Sequence, residues 1–381
     1  MDYIINHKRF KKKYSFNELD KYLYSEKRIS KYPYYKKVYF DFFNGYAKKN
    51  YTLIPIKCLC GNNDDILLSK SDRHGIEFTV VVCKKCGLIR AKDYFTDENI
   101  KDFYKNHYRN VMPDDEIEVT SASSKFRSHT KIVHKEEIFE QDLQTRYNSH
   151  KARNRNRIKI IEKFGILSKK KVLDLGGGFG GILEHFKNEN EVYLVDHYVP
   201  YLNYAKSKGI NIIKDGLDNI DFKPDVIILS HVMEHWGNFE KDIKKLIQIQ
   251  KIGETINYIE FPGVDGIKLG RQEGDIIGDI HVPHVYYFAS YVFENIMNRY
   301  GFEKLYIDSW IKSLFIYTGK KSNLINNYPR VLQDLILAEK RRKMHCVHNY
   351  LKLFIPNNLL SIIRKIRIKV RSVCDQLQWK G

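Results

Sequence analysis

Three groups of residues in this sequence have types and spacings that can support chemistry. A glycine-rich segment spans Asp174 to Gly180, two close cysteine pairs lie between residues 58 and 86, and His281 and His284 occur in a later loop. A glycine-rich turn can bind a nucleotide, paired thiolates can bind a metal ion, and a histidine can accept a proton near neutral pH. The combination indicates an enzyme with a nucleotide-like cofactor and a metal centre.

The glycine-rich segment lies between a predicted strand and a predicted helix. Gly176, Gly178 and Gly181 form the pattern G-x-G-x-x-G, and Asp196 follows Gly176 by 20 residues at the end of the next strand. Glycines allow a tight turn and a close approach to a ligand, while the carboxylate accepts hydrogen bonds from ribose hydroxyls. The pattern predicts an adenosine-containing cofactor, and taken alone it fits NAD as well as S-adenosylmethionine.

Two acidic positions favour S-adenosylmethionine over NAD. Asp174, two residues before the first glycine, would repel a pyrophosphate but attract the cationic amino group of a methionine moiety. Asp215, with Gly216 beside it, follows the third predicted strand and is placed to meet an adenine amino group. We predict S-adenosylmethionine as the cofactor, with NAD or a ligand-free glycine turn as the alternatives.

From Lys171 onward the sequence alternates between strand and helix patterns. The predicted strands are 172–175, 191–195, 210–213, 226–229 and 255–260, followed by two closing strands at 303–308 and 314–318. The predicted helices are 182–187, 200–207, 239–250 and 289–300. This βα repeat predicts an α/β fold with a mostly parallel, seven-stranded Rossmann-like sheet and helices on both faces.

Residues 171–318 resemble a class I S-adenosylmethionine-dependent methyltransferase. The segment Ser230-His231-Val232-Met233-Glu234-His235, after the fourth strand, is similar to the S-H-V-L-E-H signature of one branch of that class. That branch includes quinone-type and sugar-type small-molecule methyltransferases.

The resemblance implies a set of cofactor contacts. Asp174, Gly176 and Gly178 would bind the methionine end, Asp196 the ribose hydroxyls, and Asp215 and Gly216 would flank adenine. Ser230 and His231 would line the methyl-donor pocket. Glu234 and His235 are interpreted as structural because buried polar groups are usually hydrogen-bonded, with a catalytic role as the alternative.

The two cysteine pairs have the spacing of a metal site. Cys83 and Cys86 form a C-x-x-C knuckle followed by glycine, and Cys58 and Cys60 form a shorter C-x-C pair. Four thiolates can hold one tetrahedral zinc ion, and we predict a structural zinc site. His74, between the pairs, could replace one thiolate, and partly buried free cysteines are the alternative.

The segment after the second pair extends the resemblance to roughly residues 55–318. Tyr104 and Tyr108 are spaced i and i+4, so they share one helical face. Together with the cysteine pairs, this segment resembles the N-terminal module of nucleotide-sugar C-methyltransferases. The resemblance implies that this face helps to close the substrate cleft; two core tyrosines are the alternative.

A loop after the fifth strand contains the candidate base. His284 matches the histidine of the sugar C-methyltransferase loop, Y-x-E-H-x-x-x-F, but His281 occupies the tyrosine position and Pro283 the glutamate position. Carbon methylation of a keto-sugar needs help in forming an enolate, whereas a hydroxyl acceptor needs only one base. We predict O-methylation of a sugar or sugar-linked hydroxyl, with C-methylation and a loop-anchoring role of both histidines as alternatives.

The composition of the chain indicates its partners, its location and its division into units. The chain has 381 residues, 65 basic and 46 acidic, so its net charge of +19 favours polyanionic partners. No apolar run reaches the length of a membrane span and the N-terminus has no signal-like segment, so a cytoplasmic location is predicted. The predicted units are a basic segment (1–54), a zinc module (55–110), a helical connector (111–165), the methyltransferase domain (166–320) and a basic helical tail (321–381).

The basic tail and the acceptor leave several possibilities open. In the tail, apolar residues from Leu359 to Leu377 recur at helical spacing among basic residues, so this helix could lie on an anionic membrane surface at the inner face, pack on the protein or pair in a homodimer. The predicted acceptor is a small-molecule sugar or glycan in surface-polysaccharide synthesis. RNA methylation is less favoured, because no N-P-P-Y or D-P-P-Y tetrad follows the fourth strand, and a non-catalytic scaffold is the last alternative.

Overall fold

The computed structural model describes residues 38–111, 137–163, 168–214 and 216–352. Two predictions fall outside these ranges, the adenine contact of Asp215 and the amphipathic tail helix from Leu359 to Leu377.

The described residues contain thirteen strands. They are β1 (Leu53–Pro55), β2 (Asp65–Ser71), β3 (Glu77–Cys83), β4 (Ile89–Ala91), β5 (Asp93–Phe95), β6 (Lys171–Leu175), β7 (Glu191–Val195), β8 (Asn211–Ile213), β9 (Val226–Ser230), β10 (Ile256–Glu260), β11 (Tyr286–Tyr287), β12 (Phe302–Ile307) and β13 (Lys312–Tyr317).

Seven of these strands form one large sheet in the order β12-β13-β10-β9-β6-β7-β8. The five strands from β6 to β10 are parallel, and β13 is antiparallel to both of its neighbours, β10 and β12. The predicted Rossmann-like, mostly parallel, seven-stranded sheet is therefore confirmed. Strand β9 shows why it forms: Val226 to Leu229 are all apolar and buried, as expected for a parallel strand covered on both faces.

The strand order reverses direction at β6. The chain runs from β6 outward through β7 to β8 on one side, then returns to β9 and β10 on the other side. In open α/β sheets, ligands bind outside the carboxyl ends of the strands at such a switch point. The glycine-rich loop leaves the end of β6, and Ser230 ends β9, so both predicted cofactor segments lie at this edge.

The longer helices are α1 (Asp97–Asp102), α2 (Glu137–Arg153), α3 (Arg155–Glu162), α4 (Val199–Ser207), α5 (Phe239–Gln248), α6 (Ser290–Arg299) and α7 (Tyr328–Lys352). Short π-helical stretches at Phe42–Ala47 and Phe103–His107 add to the aromatic N-terminal part. No helix among the described residues combines the length and the apolar character needed to cross a membrane.

One predicted helix, at 182–187, is wrong. The structure has only a single 3-10 turn there, Leu183–His185, before β7 begins. The side chain of Asn190 donates a hydrogen bond to the carbonyl of Phe186, at 2.9 Å. In a continued α-helix that carbonyl would accept from the backbone N–H of residue 190, so the asparagine side chain competes with the helix.

A second, four-stranded sheet has the order β11-β4-β3-β2. Strands β2 to β4 come from the cysteine-containing segment, and Cys83 is the last residue of β3. Strand β11 comes from the histidine loop and pairs Tyr286 with Arg90 and Tyr287 with Ile89. The loop with the candidate base is thus one edge of the sheet that carries the cysteines.

Candidate active site

The glycine-rich loop is shaped by positive φ angles at Gly176, Gly178 and Gly180, at 68°, 57° and 69°. Residues with side chains rarely adopt this conformation. At Gly177 a Cβ atom would lie 2.0 Å from Asp174 Oδ2, so only glycine lets the loop fold over that carboxylate. The loop forms a cradle that any side chain at this position would fill, which fits a ligand held by backbone groups.

Helix α2 closes one side of this cradle. A Cβ at Gly181 would lie 2.8 Å from the Cβ of His150, which shows how closely the helix approaches the loop. Phe179, at the tip of the loop, stacks on Tyr201 with ring centroids 3.6 Å apart and meets His150 edge-on. The third glycine of the pattern therefore serves helix packing, as the pattern predicts.

Asp174 is buried at the end of β6, with 2% of its surface exposed. Burial, together with the nearby charge of Asp196, raises its pKa to about 8, against a smaller opposing effect of Arg157. A carboxyl group in this state gains the most from a cation placed beside it. The position therefore suits the positively charged methionine end of S-adenosylmethionine.

Asp196 and Gly216 lie where the next two strands end. Asp196 accepts hydrogen bonds from the backbone N–H groups of Gly178 and Tyr198, both at 2.9 Å, so it ties the end of β7 to the glycine loop. Gly216 has φ 91° and ψ −160°, a region that only glycine occupies readily, and a Cβ there would meet open space. Gly216 therefore lies in a backbone turn and has no side chain that would obstruct a ligand at this edge of the sheet.

Ser230 and His231 follow at the end of β9. His231 has a positive φ of 58°, which is uncommon for a residue with a side chain, and its N–H donates to the Glu260 carbonyl at 2.7 Å. Its Nδ1 lies 3.3 Å from Glu234 Oε1. Burial opposes protonation of His231, but the hydrogen bond and charge of Glu234 outweigh it and hold the pKa above the ordinary value.

One charged pair at the site was not predicted from the sequence. Arg157, on α3, donates from Nε and Nη2 to the two carboxylate oxygens of Glu260 at the end of β10, and Tyr258 donates to the same carboxylate at 2.7 Å. Burial alone would raise the pKa of Glu260, but the guanidinium outweighs it and the pKa is lowered. The pair joins α3 to the sheet edge beside Asp174 and His231.

The corner at which the sequence predicts that the acceptor binds, the acceptor corner, is built from His235, His284 and Tyr104. The rings of His235 and His284 have centroids 4.8 Å apart, and the hydroxyl of Tyr104 lies 2.8 Å from His235 Nδ1. Tyr104 and Tyr108 face the same way, with centroids 4.9 Å apart, as their spacing predicts. Tyr104 therefore joins the segment after the cysteines to the S-H-V-M-E-H segment.

His281 lies deeper than His284. Its ring stacks on Tyr39 at 5.3 Å and meets the rings of His74 and His284 edge-on. His281 is 3% exposed, and its Nε2 has no hydrogen-bond partner within the part of the chain that the structure describes. This placement favours a packing role for His281 and leaves His284 as the histidine nearer to the end of β9.

Burial lowers the pKa of both candidate histidines well below the usual value of 6.5. The next contribution comes from Arg73 for His281 and from His235 for His284. Both imidazoles are therefore uncharged at neutral pH. An uncharged imidazole can accept a proton, although a low pKa makes it a weak base.

The four cysteines form one compact cluster. The Sγ–Sγ distances are 3.4 Å between Cys58 and Cys86, 3.4 Å between Cys58 and Cys60, and 3.5 Å between Cys60 and Cys83. A disulfide requires about 2.05 Å, whereas sulfurs around one zinc ion at about 2.3 Å lie roughly 3.8 Å apart. The donor set and its spacing fit a tetrahedral metal ion.

His74 does not join this cluster, so the suggestion that it replaces a thiolate is wrong. Its ring packs on Tyr39 and His281, and its Nε2 accepts a hydrogen bond from Arg73 at 3.1 Å. The reason lies in the sheet: His74 is in the turn between β2 and β3, whereas the cysteines lie at the opposite end of β3. The C-x-C pair reaches the other two sulfurs without it.

One comparison with known proteins identifies a domain in this chain. Residues 147–307, somewhat less than half of the chain, match the family model described as a methyltransferase domain. A search of curated proteins gives no match.

Among solved structures, the chain is similar to magnesium protoporphyrin IX methyltransferase from Synechocystis with bound S-adenosylhomocysteine, with 13% identity, 58% of this chain and 98% of the other covered, and a TM-score of 0.37. It is also similar to a SAM-dependent methyltransferase from Aquifex aeolicus, with 18% identity, coverage of 46% and 96%, and a TM-score of 0.34. The assignment of the fold is therefore based on the strand order and the family match.

The strand order, the glycine loop and the family match together define the class: the chain contains a class I S-adenosylmethionine-dependent methyltransferase domain. The protein is accordingly an enzyme that transfers a methyl group from S-adenosylmethionine.

Proposed function

We propose that this enzyme transfers the methyl group to a hydroxyl of a sugar or sugar-linked acceptor, in the synthesis of a surface polysaccharide. The observation that carries the proposal is a line of polar side chains from the cofactor side to the histidine loop. His231 lies 3.3 Å from Glu234, Glu234 lies 3.8 Å from His235, and the His235 ring is 4.8 Å from the His284 ring. An acceptor in contact with His284 would lie beside the end of β9, where the methyl donor is expected.

The bound cofactor supplies a methyl group on a cationic sulfur. The residues of this chain would hold and prepare the two reactants. Asp174 and the glycine loop would bind the methionine end, Asp196 the ribose hydroxyls, and Gly216 with Asp215 the adenine. The acceptor oxygen would form a bond to the methyl carbon as the bond from sulfur breaks, leaving S-adenosylhomocysteine. In the simplest form of the proposal, the hydroxyl proton passes to His284.

His284→Ala is expected to lower turnover by roughly 10²–10⁴-fold, the usual contribution of a positioned proton acceptor, because no group would prepare the hydroxyl. Cofactor affinity should stay within about threefold, since no predicted cofactor contact involves this residue. Initial rates with labelled S-adenosylmethionine and cofactor titration by calorimetry measure the two quantities separately. The matched control is His185→Ala, on the 3-10 turn after the glycine loop, where turnover should be retained. Unchanged turnover in His284→Ala would contradict the role.

Carbon methylation is the second candidate, and one observation favours it. The tyrosine and glutamate that the histidine loop lacks have spatial counterparts in Tyr104 and Glu234, which both contact the corner around His235. Such groups could stabilise an enolate. Exchange of a ring-carbon proton of a keto-sugar with solvent deuterium, in the presence of S-adenosylhomocysteine, would reveal this activity; a hydroxyl-methylating enzyme should show none.

We also propose that Cys58, Cys60, Cys83 and Cys86 bind a structural zinc ion. Backbone N–H groups of Asn62 and Lys85 donate to Cys60 and Cys83, each at 3.4 Å, and such bonds stabilise thiolates. The ion would hold the two cysteine pairs together. Strand β4 follows the second pair and pairs with β11, so the positions of both strands would depend on the ion. The predicted tail contacts, with an anionic membrane surface or a second subunit, remain proposals because residues 359–377 lie outside the described ranges.

A further inference from the structure

We infer that Glu234, His235 and His284 form a binding site for one divalent transition-metal ion at the acceptor corner. Each residue offers one ligand atom, and these three atoms lie within 4.8 Å of one another. The inference rests on the proposed function, because it assumes that the acceptor binds beside His284. It gives His284 a more specific role, the binding of a metal ion that activates the hydroxyl, in place of proton acceptance.

The three ligands come from two segments that the backbone holds together. Glu234 and His235 belong to the 3-10 turn Met233–His235 after β9, and His284 belongs to the loop before β11. The N–H of Val285 donates to the carbonyl of Glu234 at 2.8 Å. Because this bond links Glu234 to the residue that follows His284, it holds the two ligand-bearing segments side by side.

The spacing of the donors is close to that around a metal ion. Ligand atoms at about 2.1 Å from one ion lie roughly 3.0–3.5 Å apart. Glu234 Oε1 and His235 Nε2 are 3.8 Å apart. Small side-chain rotations would therefore complete the site.

Glu234 provides a second, independent indication. Its side chain is 1% exposed, and its Oε2 atom has no hydrogen-bond partner among the described residues, whereas Oε1 faces Nδ1 of His231. A buried carboxylate oxygen without a partner is costly, and a metal ion would satisfy it. The interpretation of Glu234 as purely structural does not explain this atom.

The hydrogen bonds of His235 orient it as a ligand. Its Nδ1 lies 2.9 Å from the carbonyl oxygen of Pro283, which can only accept, so Nδ1 carries the proton. The other nitrogen, Nε2, then presents a lone pair towards Glu234 Oε1, and two acceptors face each other. Metal-binding histidines usually donate their second nitrogen to a carbonyl or carboxylate in this way.

The ligand types select the class of ion. Two imidazole nitrogens and one carboxylate suit Zn²⁺, Mn²⁺, Fe²⁺ or Co²⁺, whereas Mg²⁺ and Ca²⁺ prefer oxygen ligands. Three protein ligands leave coordination positions open, as at catalytic metal sites. A hydroxyl bound at an open position loses its proton to water more readily than a free one.

Metal counting with Co²⁺ tests the inference on the full-length protein. Cobalt bound by thiolates gives strong near-ultraviolet charge-transfer bands, so the cysteine centre is counted separately from a nitrogen–oxygen site. Wild-type protein should bind one equivalent of Co²⁺ without these bands. Glu234→Gln should bind this equivalent at least tenfold more weakly, as loss of a ligand requires. Glu240→Gln, an exposed glutamate paired with Lys244, is the matched control and should bind it normally.

His284→Gln, on the other segment, should lose the same equivalent and serves if Glu234→Gln fails to fold. The inference is overturned if wild-type protein binds no Co²⁺ beyond the cysteine centre, or if neither variant changes this binding. Activity distinguishes the proposed function from the proposed role of the metal. Methyl transfer to a hydroxyl by protein without this ion would leave the proposed function intact and reject the activation of the hydroxyl by the metal. A bound ion without any transfer to hydroxyls would reject the proposed function instead.

Discussion

Replacing Asp174 by asparagine is expected to weaken cofactor binding strongly and, at the same time, to stabilise the cofactor-free protein at pH 8. The first effect follows from the loss of a buried negative charge beside a cationic ligand. A hydrogen-bonded buried charge pair contributes about 2–5 kcal/mol to binding, so affinity for S-adenosylmethionine should fall at least roughly 30-fold.

The second effect follows from the raised pKa. Burial, and then the charge of Asp196, raises the pKa of Asp174 to about 8 in the folded protein, against about 3.9 in the unfolded chain. The folded state therefore holds a proton that the unfolded state releases. Between about pH 4 and pH 8, folding stability should fall by roughly 1.4 kcal/mol for each pH unit from this group. Asparagine cannot ionise, so the variant escapes that loss.

Urea unfolding of the cofactor-free proteins at pH 5, 7 and 8, with calorimetry of cofactor binding at pH 7, measures both effects. Asp242→Asn is the matched control, since the pKa of Asp242 is also raised, to about 6 by burial, but it lies on α5. The gain in stability of this control should grow only between about pH 4 and pH 6 and stay constant above pH 6, and the control should bind the cofactor normally. An Asp174→Asn protein that binds normally, or is less stable than wild type at pH 8, would reject this account of the loop.

Replacing Cys86 by serine is expected to remove the zinc ion and to abolish turnover while leaving cofactor binding in place. Structural zinc contributes about 10–16 kcal/mol to folding in zinc-finger peptides, which is comparable to the whole stability of a typical domain. Cys86 is fully buried, so no other group can replace it from solvent. The sheet containing β4 should lose its order.

The loss reaches the active site through β11. The N–H of Ala91 donates to the carbonyl of Val285 at 2.8 Å, and among the described strands β11 pairs with β4 alone. The loop with His284 should therefore lose its position. The glycine loop belongs to the seven-stranded sheet, which contains no strand of the cysteine segment, so cofactor affinity should change by less than about threefold.

Zinc content, cofactor titration and initial rates of Cys86→Ser give the three required quantities. Lys85→Ala, an exposed residue in the same knuckle, is the control and should match wild type in all three. An active Cys86→Ser protein, or a wild-type protein free of bound metal, would contradict the zinc proposal.

The sheet was predictable because its strands are short apolar runs that are buried on both faces. Val226 to Leu229 is such a run, and it was placed to within one residue of β9. The absence of an α-helix at 182–187 was not predictable in this way, because the competing bond from the Asn190 side chain is specific to this turn. In these two cases the local pattern identified a buried strand correctly and a short helix wrongly.

The cofactor side of the site follows short motifs at the ends of successive strands, and its residues were predicted from their spacing and from the resemblance to class I methyltransferases. The remaining parts depend on contacts between distant segments. Arg157 and Glu260 are 103 residues apart, and Tyr104 and His235 are 131 apart, so no local pattern connects them. Two features of the sequence could have suggested the first pair. They are an arginine in the helix that precedes β6 and a glutamate at the end of the fifth predicted strand.

The most direct test of the proposed reaction is to follow a labelled methyl group. Full-length protein with Co²⁺ or Zn²⁺ would be incubated with trideuteromethyl S-adenosylmethionine and with nucleotide sugars and polysaccharide fragments, and products analysed by mass spectrometry and NMR. We expect the label on a sugar oxygen, and no transfer by Asp174→Asn or His284→Ala. Label on a ring carbon, or on RNA offered in the same assay, would contradict O-methylation of a sugar.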